Sequence, residues 1–439
     1  MPDHYKLMLA GTSTAAGNLN VTSPFSDELL ATVEQCGGEH IEAALAAAAA
    51  AFADRSAWLS VGERQKILLA VADAMAADVE GLARLAASEG GKPLIDSRVE
   101  VNRAIEGVRM CAEHIGQHAG EVIPVKEALP NTRRMAFTQR EPIGVVVAVS
   151  AFNHPLNLIV HQVGAAVAAG YPVIVKPADD TPLSCLKFVS LLRDAGLPED
   201  WCQVAVPESI DLATKLVADK RVAFFSFIGS ARVGWMLRSR LSPGTRCALE
   251  HGGVAPVIVH RSASLEKVIP SVLKGGFYHT GQGCVSVQRV FVESQQAGAL
   301  CDALVEGAAK LVVGDPLNDA TEVGPLIRPA EVERVHQWVQ DAVAAGAQLL
   351  CGGKKMEGHC YEPTVLLNPP RDAAVSTNEV FGPVVCVYSY DDVDAAIAQA
   401  NELDVAFQAA VFAQDIDAAM RIYDGLAASR GGFSNTVGS

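Results

Sequence analysis

Gly281-Gln282-Gly283-Cys284 sets a thiol among glycines. Glycine lacks a Cβ, so backbone N–H groups there can approach a substrate oxygen and the sulfur is sterically open. Of the ten cysteines (36, 111, 185, 202, 247, 284, 301, 351, 360 and 386), this one best suits a nucleophile, and most of the others read as buried free thiols. A lone cysteine is more often a core residue, and the flanking glycines weaken that reading without removing it. Glu250 closes the apolar run Cys247-Ala248-Leu249 and precedes His251 and the pair Gly252-Gly253. A carboxylate at a strand end beside such backbone suits a general base with a pKa raised by burial, although a capping or salt-bridging Glu fits the same text. Asn153, in Ala151-Phe152-Asn153-His154-Pro155, follows another strand; its amide suits a developing oxyanion and equally an Asx-turn before proline.

The elements that would position these groups are legible as periodicity. Helices are expected over Ile41–Phe52, Glu63–Glu89 and about Ser97–Gln117, where apolar residues recur at three- and four-residue spacing. Between Gly120 and Pro142 the text turns extended and polar with prolines near both ends, as in a hairpin-like arm. From Gly144 onward, strand-like runs alternate with helical ones: GVVVAVS, PVIVK, WCQVAV and RVAFFSF each precede an amphipathic segment. That alternation predicts right-handed crossovers and parallel sheets covered by helices, with ligands at the carboxyl ends of the strands. A second α/β stretch runs from Gly252 through PVIVH, QRVFVE, VVCVYSY and AAVFA, which puts a domain boundary near Gly252-Gly253.

At 439 residues the chain exceeds what one core fills, so two large domains are expected. Half the residues are hydrophobic and 19% charged, which excludes a disordered chain. A net charge of −15 without any Lys/Arg run argues against nucleic acid as a partner. No segment offers the roughly 20 apolar residues that span a bilayer, nor a leader at the start, so a cytoplasmic protein without membrane contact is expected. No cysteine pair has metal or disulfide spacing, and no metal is expected.

EPIGVVVAVSAFNHP, VIVKPADDTPLS, FSFIGSARVG, LEHGG, GQGCVSVQR, GDP followed by GPLI, NEVFGPV and AAVF occur in an order that resembles the aldehyde dehydrogenase superfamily, from about residue 20 to 435. The resemblance implies two doubly wound parallel-sheet domains with a small β-hairpin oligomerisation arm. A Rossmann-like NAD(P) domain would take residues 1–119 and 143–251, the arm 120–142, and a catalytic thiol domain 252–439. Cys284 would attack the aldehyde, Asn153 with the Cys284 N–H would hold the oxyanion, and Glu250 would activate the water that hydrolyses the thioester. Lys176 and Asp179 would meet the adenosine ribose, Gly229 and Ser230 the pyrophosphate, and Glu379, Phe381 and Phe152 the nicotinamide end. Asp179 favours NAD over NADP, since a carboxylate repels a 2′-phosphate; NADP is not excluded.

Phe152, His154, Ile228 and His251 depart from the commonest family pattern, and none removes a reacting group. The FNHP sequence is similar to that of phosphonoacetaldehyde dehydrogenases, so His154, with Arg103 on the third helix, implies an aldehyde with an anionic tail. Gly283 stands where relatives with such substrates often carry Arg, and an exposed helical Arg103 is the plainer reading. Relatives continue past TVGS with a loop near the active site and a strand that joins the arm, so a homodimer or homotetramer, and closure of the site, depend on how this chain compensates. Two rival functions stand beside aldehyde oxidation to the acid: a CoA-acylating dehydrogenase, which Glu250 argues against, and a non-catalytic nucleotide-binding protein, which the intact Cys284, Glu250 and Asn153 argue against.

Overall fold

A computed structural model describes residues 2–11, 14–117, 120–125, 133–403, 406–428 and 435–437. The chain divides into two compact units: Met1–Val21 with Leu29–Leu85 and Arg98–Leu249, and Thr22–Glu28 with Ala86–Ser97 and Glu250–Ser439. Thr22–Glu28 and Ala86–Ser97 lie within the stretch 1–119 expected to form one domain, yet they belong to the second unit. The cause is local packing. Gly91, at φ +70, lies so close to Pro24 and Pro325 that a Cβ would stand 2.9 and 2.7 Å from their rings. Leu94 N–H donates to Pro316 O at 2.8 Å, and Asp96 pairs with Lys274 at 2.6 Å.

The first unit opens with β1 (Asp3–Tyr5), β2 (Gly17–Thr22) and β3 (Leu29–Gln35), a small sheet in the order β1-β3-β2. Periodicity had suggested only helices there, because strands this short leave little alternation to read. The helix expected over Glu63–Glu89 is two, Val61–Ala77 and Val79–Gly90. Asp78 divides them: its backbone leaves helical geometry at ψ 44, and its carboxylate accepts from Gly81 N–H at 3.2 Å, capping the second helix. The third helix is Leu94–His114. In the arm, β4 (Val122–Ile123) pairs antiparallel with β5 (Ala136–Phe137), and the connecting residues 126–132 lie outside the described residues.

Next come β6 (Val145–Val149), β7 (Val173–Lys176), β8 (Cys202–Val204), β9 (Val222–Ile228) and β10 (Arg246–Glu250). Among the described residues they form a five-stranded sheet ordered β10-β9-β6-β7-β8. β6 pairs parallel with both β7 and β9, and its apolar run is buried from Val145 to Ala148, as expected of a central strand covered on two faces. Chain order reverses at β6, which makes its carboxyl end the topological switch point of this sheet.

The second unit carries β11 (Ala255–Val259), β12 (Val287–Glu293), β13 (Gln348–Cys351), β14 (Thr364–Leu367), β15 (Val384–Tyr390), β16 (Ala409–Phe412) and β17 (Asn435–Val437). Their order is β13-β14-β15-β12-β11-β16-β17, and β13 alone among the described strands of this sheet pairs antiparallel. Alternation builds a core on each face: Ile258, Phe291 and Tyr388 enter one cluster, while Val257, Val290 and Val387 enter the other. Each fully buried Val or Phe there contributes about 1.5–3 kcal/mol.

Candidate active site

In the first unit the expected cofactor residues gather at the carboxyl ends of three adjacent strands. Val149 of β6 is in register with Lys176 of β7 on one side and Phe227 of β9 on the other. Phe152 and Asn153 therefore leave the sheet beside Gly229 and Ser230. Lys176 Nζ donates to Asp179 Oδ1 at 2.6 Å. Gly229 and Gly234 both lie against the Phe227 ring, where a Cβ would come within 2.8 and 2.9 Å. Ser230 caps the helix Ala231–Arg238 by accepting from Val233 N–H at 3.4 Å, so the N–H groups of the first turn face outward from the switch point. Asn153 is 4% exposed. Gln162, which belongs to no motif, donates to Val149 O at 3.2 Å and Ser226 Oγ at 3.0 Å and ties the ends of β6 and β9 together. Arg103 is exposed on the helix Leu94–His114.

In the second unit the geometry reverses. Glu250 through Gly253 lead into β11, Cys284 leads into β12, and Glu379 with Phe381 lead into β15. These strands are neighbours and run parallel, so their amino ends converge on one edge. A general rule of carboxyl-end sites misses this set. An ideal Cβ on Gly252 would fall 1.9 Å from Glu379 Oε1 and 3.1 Å from Cys284 Cα. Glycine is thus required where the Glu379 carboxylate and the Cys284 loop close on the backbone.

Two supports of this edge were not visible as motifs. Ahead of Cys284, His279, Thr280 and Gly281 take φ of +46, +61 and +71 in succession, a run that costs on the order of 1 kcal/mol or more for each non-glycine. Surroundings hold it. Asp96 accepts from His279 N–H at 3.3 Å, Thr280 Oγ1 donates to Gly324 O at 3.0 Å, and Gln282 bridges Pro325 O and Ile327 N–H at 3.1 and 3.0 Å. Gln288 of β12 supplies the other: its amide donates to Val375 O and Asn378 O at 2.8 and 2.7 Å and accepts from Val380 N–H at 2.8 Å. That clamp brackets Glu379 and precedes Phe381, which sits at φ +48, a conformation a bulky side chain adopts only when forced.

Cys284 is half-buried. Burial pushes its thiol up to about 11, with Glu379 and then Glu250 adding to the rise against backbone N–H groups that lower it. Glu379 is itself pushed up to about 7, by burial first, while the Gly253 N–H and Arg334 pull the other way. Glu250, expected to be the buried carboxylate, is exposed at the end of β10. The desolvated carboxyl next to the thiol is Glu379. Its Oε1 is buried without a hydrogen-bond partner, which fits a hydroxyl donor such as a cofactor ribose. Among the described residues no cluster of three or more His, Cys, Asp or Glu could hold a metal ion, and no helix is long and apolar enough to cross a membrane.

A doubly wound sheet with a helix N-terminus at its switch point, and a second parallel sheet presenting a thiol between carboxylates, define an α/β oxidoreductase class. Residues 12–435 match the Aldehyde dehydrogenase family. The 3-sulfolactaldehyde dehydrogenase of Priestia megaterium is 37% identical over 408 residues, covering 93% of this chain and 84% of that one. Succinate-semialdehyde dehydrogenase [NADP(+)] of Escherichia coli is 32% identical over 413 residues, covering 93% and 84%. The crystal structure of aldehyde dehydrogenase 21 from Physcomitrella patens, in complex with the reaction product succinate, superposes with a TM-score of 0.93 at 32% identity over 99% of this chain and 90% of that one. The protein belongs to the aldehyde dehydrogenase family, whose members are cysteine-nucleophile, NAD(P)-dependent oxidoreductases.

Proposed function

We propose that the protein oxidises an aldehyde bearing an anionic group to the carboxylic acid, by way of a thiohemiacetal and then a thioester on Cys284. The observation that carries the reading is the Cys284 backbone and the Glu379 carboxylate closing on Gly252, two residues past Glu250, at one sheet edge. The thiol releases its proton to solvent water as Sγ bonds the carbonyl carbon, and the carbonyl electron pair moves onto oxygen. This reading assigns the Asn153 amide and the Cys284 N–H to that oxyanion, and removal of one such donor costs about 10²–10³ in kcat. Bound nicotinamide supplies the hydride acceptor, which makes the step a two-electron oxidation. Glu250 then takes a proton from water, the water oxygen displaces Sγ from the acyl carbon, and Cys284 leaves as thiolate.

Lys176, Asp179, Gly229, Ser230, Glu379, Phe381 and Phe152 are the residues we assign to the cofactor. NAD is favoured over NADP because the Asp179 carboxylate already occupies Lys176; Asp179→Asn is expected to raise kcat/KM for NADP relative to NAD. The anionic substrate class is supported by Arg103 and His154 and by the aldehydes that the named relatives take, which carry a sulfonate or a carboxylate. A homo-oligomer built on the arm is supported by Val122, Met135 and Phe137, exposed by 75, 78 and 67%. Phe137→Glu should then lower the mass in solution.

Single-turnover kinetics of Glu250→Gln test the mechanism. A burst of NADH followed by a stall, with acid formed by the parent enzyme without CoA, is expected. Undiminished steady turnover would remove Glu250 as the base.

A further inference from the structure

Glu100 belongs to the helix Leu94–His114 and is fully buried at 0% exposure. Its Oε1 accepts the backbone N–H groups of Leu156 and Asn157, each at 3.0 Å. Those are the first residues after the FNHP turn, where the chain enters a short helix at Asn157–Ile159. Its Oε2 lies 3.8 Å from His154 Nδ1. One carboxylate therefore spans the turn that carries Asn153 and the imidazole beside it. A fully buried carboxylate is costly unless its oxygens are hydrogen-bonded, and these contacts fix it against the turn.

We propose that Glu100 is the positioning residue of the Asn153–His154 turn: it clamps the backbone that carries Asn153, and its second oxygen, 3.8 Å from His154 Nδ1, orients the imidazole so that, when protonated, it serves as a partner for the anionic group of the aldehyde. The second half rests on the anionic-substrate reading; the first does not. Nδ1 facing Glu100 sends Nε2 to the opposite side of the ring. The side chain of His154 is 17% exposed, so an edge of it remains accessible. Arg103 follows Glu100 by three residues on the same helix, a spacing that sets Cβ atoms about 5–6 Å apart on one face.

Glu100→Gln keeps an acceptor for the two N–H groups and removes the charge; Glu100→Ala removes both. With Glu100→Gln, KM for succinate semialdehyde should rise about tenfold more than KM for propanal, the size of one charge-assisted contact. With Glu100→Ala, kcat should fall for both aldehydes, and hydrogen exchange of the peptide spanning residues 153–157 should accelerate. If Glu100→Ala fails to fold, Glu100→Gln must still show slow exchange at 153–157. Equal KM changes for the two aldehydes with Glu100→Gln would overturn the charge role, and unchanged exchange with Glu100→Ala would overturn the clamp. His154→Gln separates the two readings. If it leaves KM for succinate semialdehyde unmoved, the anionic-substrate assignment fails, while the exchange result still decides the clamp.

Discussion

A thiol held near 11 beside a carboxyl held near 7 cannot pass its proton downhill; at pH 7 the thiolate fraction is on the order of 10⁻⁴. Burial, with Glu379 adding to it, therefore favours the protonated thiol of Cys284. Alkylation of Cys284 by iodoacetamide, followed by peptide mass, should quicken about tenfold per pH unit between 7 and 10, as expected below a thiol's pKa. Glu379→Gln should move that profile to lower pH, and an unmoved profile would contradict the electrostatic account. Glu379 also has a consequence for stability. Its folded pKa is raised from 4.5 to about 7, so its contribution is fully present below 4.5 and is lost as pH rises through 7. The thermal midpoint should therefore fall across that window, and Glu379→Gln should flatten the decline.

Loops rather than strands carry the strain. A Cβ at Gly281 would stand 2.1 Å from Gly382 O, in a residue whose φ is already +71. Gly281→Ala should thus cost at least about 1–3 kcal/mol and slow Cys284 alkylation, while a midpoint equal to the parent's would refute the close approach. Gln288→Leu leaves Val380 N–H and the Val375 and Asn378 carbonyls without their partner, each worth about 1–3 kcal/mol when buried. Because these atoms bracket Glu379, KM for the cofactor should rise more than KM for aldehyde. The alternating strands from Val145 to Ile228 were legible because β-branched runs between amphipathic helices have one stable arrangement. The left-handed run at 279–281 was not, since the β-branched Thr280 disfavours that conformation, His279 adopts it only occasionally, and the surroundings impose it.

At the scale of the molecule, Asp96 shows how far chain order and packing diverge. It lies in the N-terminal part of the sequence, yet it pairs with Lys274 and accepts from His279 N–H within the second unit. Asp96→Ala should lower the melting temperature and disturb Cys284 alkylation despite its distance in sequence; reactivity equal to the parent's would show that the 279–281 run stands without it. The sequence by itself determined the family, the α/β class and the identity of the thiol, Asn153 and Glu250 as candidates, because short motifs record residue types in order. Tertiary structure alone decided which carboxylate is desolvated beside the thiol, that the second unit presents its set at the amino ends of its strands, and that Glu100 underlies the Asn153 turn. Burial and hydrogen bonding between residues far apart in the chain depend on which surfaces meet, and a linear pattern carries no record of that meeting.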